Sequence, residues 1–237
     1  MRLDKYLCEC GCGTRSEVKK IIKAGMVRID GYVAKKPEIK VDESADEVSV
    51  NGNPVRYTKF VYYMLNKPAG YVSATRDNKD RTVMELLDKK DLREDMFPVG
   101  RLDKDTEGLL IISNDGGVAH DILSPKKHVD KTYYVKVKGK VKEEHVEMFR
   151  EGVDIGEKSL TLPAKLNIIK SLDVSEVYLT ISEGKFHQVK RMFKAAGMEV
   201  IYLKRIKMGN LELDDTLIPG GYRPLTDSEL KMLCERG

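Results

Sequence analysis

No run of about 18 apolar residues occurs in the sequence, so no membrane-spanning helix is expected. The first residues, MRLDKYL, are charged throughout and lack the apolar stretch of a secretory leader, which makes the cytoplasm the expected compartment. There is neither a phosphate-binding P-loop nor a GxGxxG fingerprint. Internal repeats and low-complexity tracts are also absent. Cysteine is scarce: Cys8, Cys10, Cys12 and Cys234 are all there is. The tight C-x-C-x-C spacing does not match the wider ligand pairs of structural zinc sites. Free thiols and no metal are expected.

What the chain does have is 237 residues, 41% of them apolar, enough for one large domain or two smaller ones. Its net charge of +4 is unevenly spread. Residues 1–40 hold ten Lys/Arg against five Asp/Glu, whereas 42–47 read DESADE. A basic head suits a polyanion such as RNA.

That head reads as a compact unit. Leu3, Tyr6, Leu7 and Cys10 recur at helical spacing, and Gly11 and Gly13 end the helix. Thr14-Arg-Ser-Glu17 is a capping box, opening a second helix with an apolar face of Val18, Ile21 and Ile22. Arg15, Lys19 and Lys23 form a separate basic stripe, and Gly25 suits a left-handed C-terminal cap. Val27-Arg-Ile29, Asp30-Gly31 and Tyr32-Val33 spell a hairpin with a type I′ turn. DESADE and Asn51-Gly-Asn-Pro54 carry turn chemistry and are expected to lead into a linker.

From Phe60 onward the chain is strand-rich. VYYMLNKP (61–68) reads as a strand stopped by Pro68. In 131–139, Tyr133, Val135 and Val137 alternate with lysines, and Val177, Leu179 and Ile181 repeat the pattern. Helical segments are expected near 82–90, 141–150 and 186–196. Without regular βα alternation, these elements predict an α+β domain on a largely antiparallel sheet.

One stretch raises a specific chemical question. In GRLDKDTEGLLIISNDG (100–116), Asp103, Asp105, Glu107 and Gly108 imitate the start of a calcium loop. Position 12 of that loop would be Asn114, which offers no bidentate carboxylate, and Leu109 to Ile112 fill places where oxygen ligands belong. Calcium is excluded. What remains is a loop delivering Asp103, beside Arg101, to the edge of a buried strand.

Four segments belong together: LNKPAGYVSA (65–74), the GRLD stretch, KTYYV (131–135) and EGKFHQVKRMF (183–193). With the TRSEVKKIIKAGMVRIDG head, they resemble over essentially the whole chain the pseudouridine synthases carrying an N-terminal S4 RNA-binding domain. The resemblance implies an S4-like domain and linker over 1–58 and a catalytic domain over 59–237. It implies a cofactor-free isomerisation of uridine in ribosomal RNA, by a monomer with no membrane association. Small-subunit (16S) RNA or the assembling 30S particle is the expected substrate; large-subunit (23S) RNA and a non-catalytic S4-type assembly factor remain alternatives.

By the same resemblance Asp103 is the catalytic aspartate, Tyr133 stacks on the target uracil and assists proton removal from C5, and Lys190 pairs with Asp103. Many relatives have arginine at that last position, and lysine lacks its bidentate fork. Ile181 matches an apolar wall of the uracil pocket, and Arg101 the arginine that fills the space a flipped base leaves. His187, Lys190, Arg191 and Lys194 are spaced to share one helical face. His187 and Arg191 are therefore placed with the substrate. Lys67-Pro68 falls in a motif that supports the catalytic loop. In the head, Arg15, Lys19, Lys20, Lys23 and Arg28 are assigned to RNA phosphates.

Overall fold

The computed structural model describes residues 1–124 and 127–234. The chain divides into two compact units: Met1–Val61 with Leu87–Asp95, and Tyr62–Leu86 with Met96–Gly237.

In the first unit, α1 (Leu3–Glu9) and α2 (Arg15–Lys23) accompany a four-stranded antiparallel sheet. Its strands β1 (Val27–Ile29), β2 (Tyr32–Ala34), β3 (Val48–Val50) and β4 (Asn53–Val55) run in the order β2-β1-β3-β4. The predicted capping box forms: Thr14 accepts from the Glu17 amide, and Glu17 accepts from Thr14 in return. Asp30 and Gly31 both adopt positive φ (49° and 82°), as a type I′ turn requires. Leu3, Leu7, Val18, Ile22, Val27 and Val48 make the core. The NGNP segment is the turn and start of an edge hairpin within this sheet rather than a linker. Pro54 is tolerated because β4 is the sheet's last strand.

The second unit is built on one sheet. Its strands are β5 (Tyr62–Lys67), β6 (Phe97–Val99), β7 (Glu107–Ser113), β8 (Lys131–Lys138), β9 (Lys165–Lys170), β10 (Val174–Ile181), β11 (Glu199–Met208), β12 (Leu211–Glu212) and β13 (Tyr222–Pro224). The main path is β13-β5-β7-β11-β8-β10-β9, with only β7–β11 parallel along it. Helices α3 (Gly116–Leu123), α4 (Glu143–Glu151), α5 (Gln188–Ala195) and α6 (Asp227–Cys234) complete an α+β domain. The apolar run at 109–112 is a central strand, wholly buried on both faces. Each such side chain contributes about 1.5–3 kcal/mol relative to exposure. The helix expected over 82–90 is only a 3-10 turn, Val83–Leu86. Glu85 caps Thr82 at 2.7 Å, and from Leu87 the chain belongs to the first unit. Tertiary packing overrides helical propensity there.

Candidate active site

The loop between β6 and β7 is held from several directions. Lys67, at the end of β5, is 0% exposed. Its ammonium donates to the carbonyls of Pro68, Asp103, Lys104 and Thr106 at 2.7–3.3 Å. Burial pushes that ammonium down to about 8, opposed by Asp105, Glu107 and Asp103. Ser73 donates to the Leu102 carbonyl and accepts from the Leu102 amide. Within the loop, the Thr106 amide returns to the Asp103 carbonyl at 3.1 Å. With its backbone fixed on both sides, the Asp103 carboxylate is presented to a cavity of about 450 Å³.

The second half of the cavity comes from the segment between β10 and α5. Gln188 is buried, accepts from the Lys185 amide and donates to Glu183, pinning the turn before the helix. Val189, Met192 and Phe193 pack inward, so α5 has a fixed rotation. Lys190 Nζ then stands 3.1 Å from Asp103 Oδ2 and 2.5 Å from Asp105 Oδ1. Burial disfavours the Lys190 charge, but its hydrogen bonds to the two carboxylates outweigh it and raise its pKa. Burial likewise works against the Asp105 carboxylate, and Lys190 outweighs it, so that pKa is lowered. His187 Nε2 lies 3.5 Å from Asp103 Oδ1. Its φ of 48° is left-handed, a strained conformation that aims the ring at the loop. Phe186, 73% exposed, stacks on the His187 ring at the cavity's edge.

Tyr133 from β8 and Ile181 from the end of β10 line the same cavity, nearly buried, with Leu203 and Val189. Arg101 lines it too and is exposed. A carboxylate paired to an ammonium thus faces an apolar and aromatic wall, with the exposed Arg101 side chain nearby. Such a site can work on a planar, uncharged ring attached to a carbon that the carboxylate can reach.

Residues 61–195 match the family model described as RNA pseudouridylate synthase, and residues 1–48 match the S4 domain model. The chain belongs to the RNA pseudouridylate synthase family. An uncharacterized RNA pseudouridine synthase of Bacillus subtilis, YtzG, is 52% identical over 237 residues, covering 99% of both chains. The ribosomal small subunit pseudouridine synthase A of Vibrio cholerae is 42% identical, covering 97% of this chain and 98% of its own. A solved pseudouridylate synthase superposes with a TM-score of 0.69 at 40% identity, over 98% of this chain and 99% of that one.

Six residues picked out in the sequence for this synthase site, Arg101, Asp103, Tyr133, Ile181, His187 and Lys190, meet in one cavity. Arg191 does not join them. Its guanidinium is bound to Glu157 at 2.8 Å and to the carbonyls of Ile155 and Phe186. One residue along a helix is a turn of about 100°, and that rotation carries Arg191 away from Asp103 and toward Glu157. Asp105, which had no role left once calcium was excluded, shares Lys190 with Asp103. Lys67, read as part of a motif that supports the catalytic loop, does so through its carbonyl cage, whereas Arg205 lacked a readable role, although a lone arginine between apolar residues of a strand was a usable signal.

In the first unit, Arg15, Lys19, Lys20, Lys23 and Arg28 are all exposed. Arg15, Lys19 and Lys23 follow one another on successive turns of α2, away from buried Val18 and Ile22. Arg15 contacts Glu94 at 3.4 Å, and Arg28 donates to the Gly31 carbonyl at 2.7 Å. Burial raises the thiols of Cys8 and Cys12 and pushes Cys10 up to about 12, so none is a ready thiolate.

Proposed function

We propose that the protein, acting as a cytoplasmic monomer, converts a uridine of small-subunit ribosomal RNA to pseudouridine. The carrying observation is the Asp103–Lys190 pair at 3.1 Å, set against the wall of Tyr133 and Ile181. The relatives named as small-subunit synthases, similar over nearly the full chain, support the choice of RNA.

The reaction breaks the N1–C1′ bond, turns the uracil and joins C5 to C1′; the hydrogen lost from C5 is matched by one gained at N1. In this reading Asp103 acts at the ribose carbon, as nucleophile or as base. Lys190 pairs with its carboxylate and holds it in place. Tyr133 and Ile181 sandwich the ring, and Arg101 fills the stack that the flipped base has left. The basic stripe of α2 holds phosphates of the folded RNA and contributes salt-sensitive, sequence-independent affinity.

The test is to map pseudouridine in both ribosomal RNAs of a deletion strain carrying wild type or Asp103→Ala. Wild type should restore one small-subunit site and Asp103→Ala should not. Restoration by Asp103→Ala would refute the catalytic assignment, and a site restored in large-subunit RNA instead would refute the substrate.

A further inference from the structure

Behind the cavity, β11 carries a cation that pairs with no carboxylate among the described residues. Arg205 is 3% exposed and stands opposite Tyr133 in the β8–β11 ladder. On its other side it stands opposite Gly108 of β7. Gly108 has a φ of +102°, and a Cβ there would lie 2.1 Å from the Arg205 carbonyl oxygen. Only glycine lets β7 approach the arginine's backbone so closely.

The guanidinium is incompletely used. Its Nε donates to the Leu109 carbonyl at 2.8 Å, whereas Nη2 is buried without a partner. Burial disfavours the charge; the Tyr133 hydroxyl favours it, by coulombic attraction and by hydrogen bonding. The charged neighbours that feel Arg205 are themselves lysines, buried Lys67 of β5 and half-buried Lys131 of β8, and it opposes the charge of both. Thr106 Oγ1, on the cavity lining, is the other buried side-chain polar atom without a partner among the described residues. A buried cation beside other cations is costly to keep. A negative charge on the Tyr133 oxygen would compensate it.

We propose that Arg205 is a positioning residue for Tyr133, holding its hydroxyl at the cavity floor and stabilising its phenolate while it removes the C5 proton. This rests on the uridine isomerisation proposed above. Once C5 is joined to C1′, C5 still bears its hydrogen. The phenolate takes that proton, the electron pair of the C–H bond closes the C5=C6 double bond, and the phenol afterwards releases the proton to solvent. N1 has gained a proton on leaving the ribose, so the balance is neutral. Arg205 touches no substrate atom; it acts through Tyr133.

The experiment compares full-length wild type, Arg205→Met, Arg205→Lys, Tyr133→Phe and the Tyr133→Phe/Arg205→Met double variant. Single-turnover release of tritium from RNA labelled at uridine C5 is followed across a range of pH, with RNA affinity and thermal unfolding measured alongside. Arg205→Met should slow release about 100-fold near neutral pH, the scale of a lost acid–base function. The deficit should shrink as pH rises and the phenol ionises unaided, while RNA affinity stays within about two-fold. Arg205→Lys, which keeps the charge, should retain most of the rate. In the Tyr133→Phe background the arginine change should cost little, because residues acting as one unit are not additive.

An Arg205→Met deficit that is equal at every pH and persists in the Tyr133→Phe background would mean a merely structural arginine and overturn this inference alone. So would a loss confined to RNA affinity. A wild type that forms no pseudouridine would overturn the isomerisation as well. Should Arg205→Met fail to fold, Arg205→Gln, which keeps hydrogen-bond donors without charge, takes its place under the same criteria; Arg205→Lys must in either case keep the wild-type pH profile.

Discussion

The Lys67 ammonium donates to the Asp103 main-chain carbonyl at 3.1 Å, so the candidate catalytic carboxylate hangs from a side chain that solvent does not reach. The same ammonium serves three further carbonyls. Lys67→Met would leave these acceptors with a methyl group for a partner. Buried acceptors left unsatisfied cost about 1–3 kcal/mol, so urea unfolding should show roughly 3 kcal/mol of destabilisation. Single-turnover activity should fall while RNA affinity holds. A Lys67→Met protein as stable as wild type would show that the cage contributes nothing.

Lys190 divides itself between Asp103 and Asp105, and the two contacts differ in what they protect. The Asp105 side chain is 72% exposed, the Asp103 side chain only 26%. A pair with one exposed partner is worth about 0–1 kcal/mol, so Asp105→Asn should change the single-turnover rate by about five-fold at most. Lys190→Met strips the charge facing Asp103 and should cost on the order of 100-fold. Equal losses for the two variants would make Asp105 a working part of the site.

Three cations on α2 predict a salt response. Each phosphate neutralised contributes a slope of about 0.7–0.9 to log affinity against log salt. Replacing Arg15, Lys19 and Lys23 together with glutamine should therefore reduce the slope by about two, as titrated by filter binding. An unchanged slope would remove the α2 stripe from the RNA interface.

Arg223 sets an acid limit on the C-terminal helix. It donates to Asp214 at 2.6 Å and to both oxygens of Glu229 at 2.7 and 2.9 Å. Bonds from Thr216 and Arg223 hold Asp214 at about 2, and Arg223 with Thr226 holds Glu229 at about 2. Both carboxyl pKa values are depressed, so their stabilisation is complete above the ordinary values of 3.8 and 4.5 and disappears as pH falls toward 2. Thermal melts across that window should lose stability in wild type and lose less of it in Arg223→Met. Parallel curves for the two proteins would contradict the assignment.

Local chemistry was readable where a few adjacent residues are sufficient. The Thr14–Glu17 box, the Asp30-Gly31 turn and the alternation of Tyr133, Val135 and Val137 all form as read. The four synthase segments led to one cavity, because loops and strand ends carry their functional side chains with them. The misread places share one cause. The helix expected over residues 82–90 and the placing of Arg191 with the substrate depend on what lies across the fold: Leu87 joins a different unit, and Arg191 finds Glu157, which is 34 residues away. Gly108, which in the sequence stood out only as part of a calcium-loop mimic, is needed for the near contact with Arg205.

By itself, the sequence determined most of the elements, the α+β class, the basic head and the aspartate at the strand's edge, since each follows from capping, turn and burial preferences over short spans. Only the tertiary structure decided which helical face meets that aspartate, that Asp105 shares its lysine, and that one buried arginine stands behind Tyr133. Those relations join β5, β7, β8, β11 and α5, and they come into being only when the strands pair and the helix docks on them.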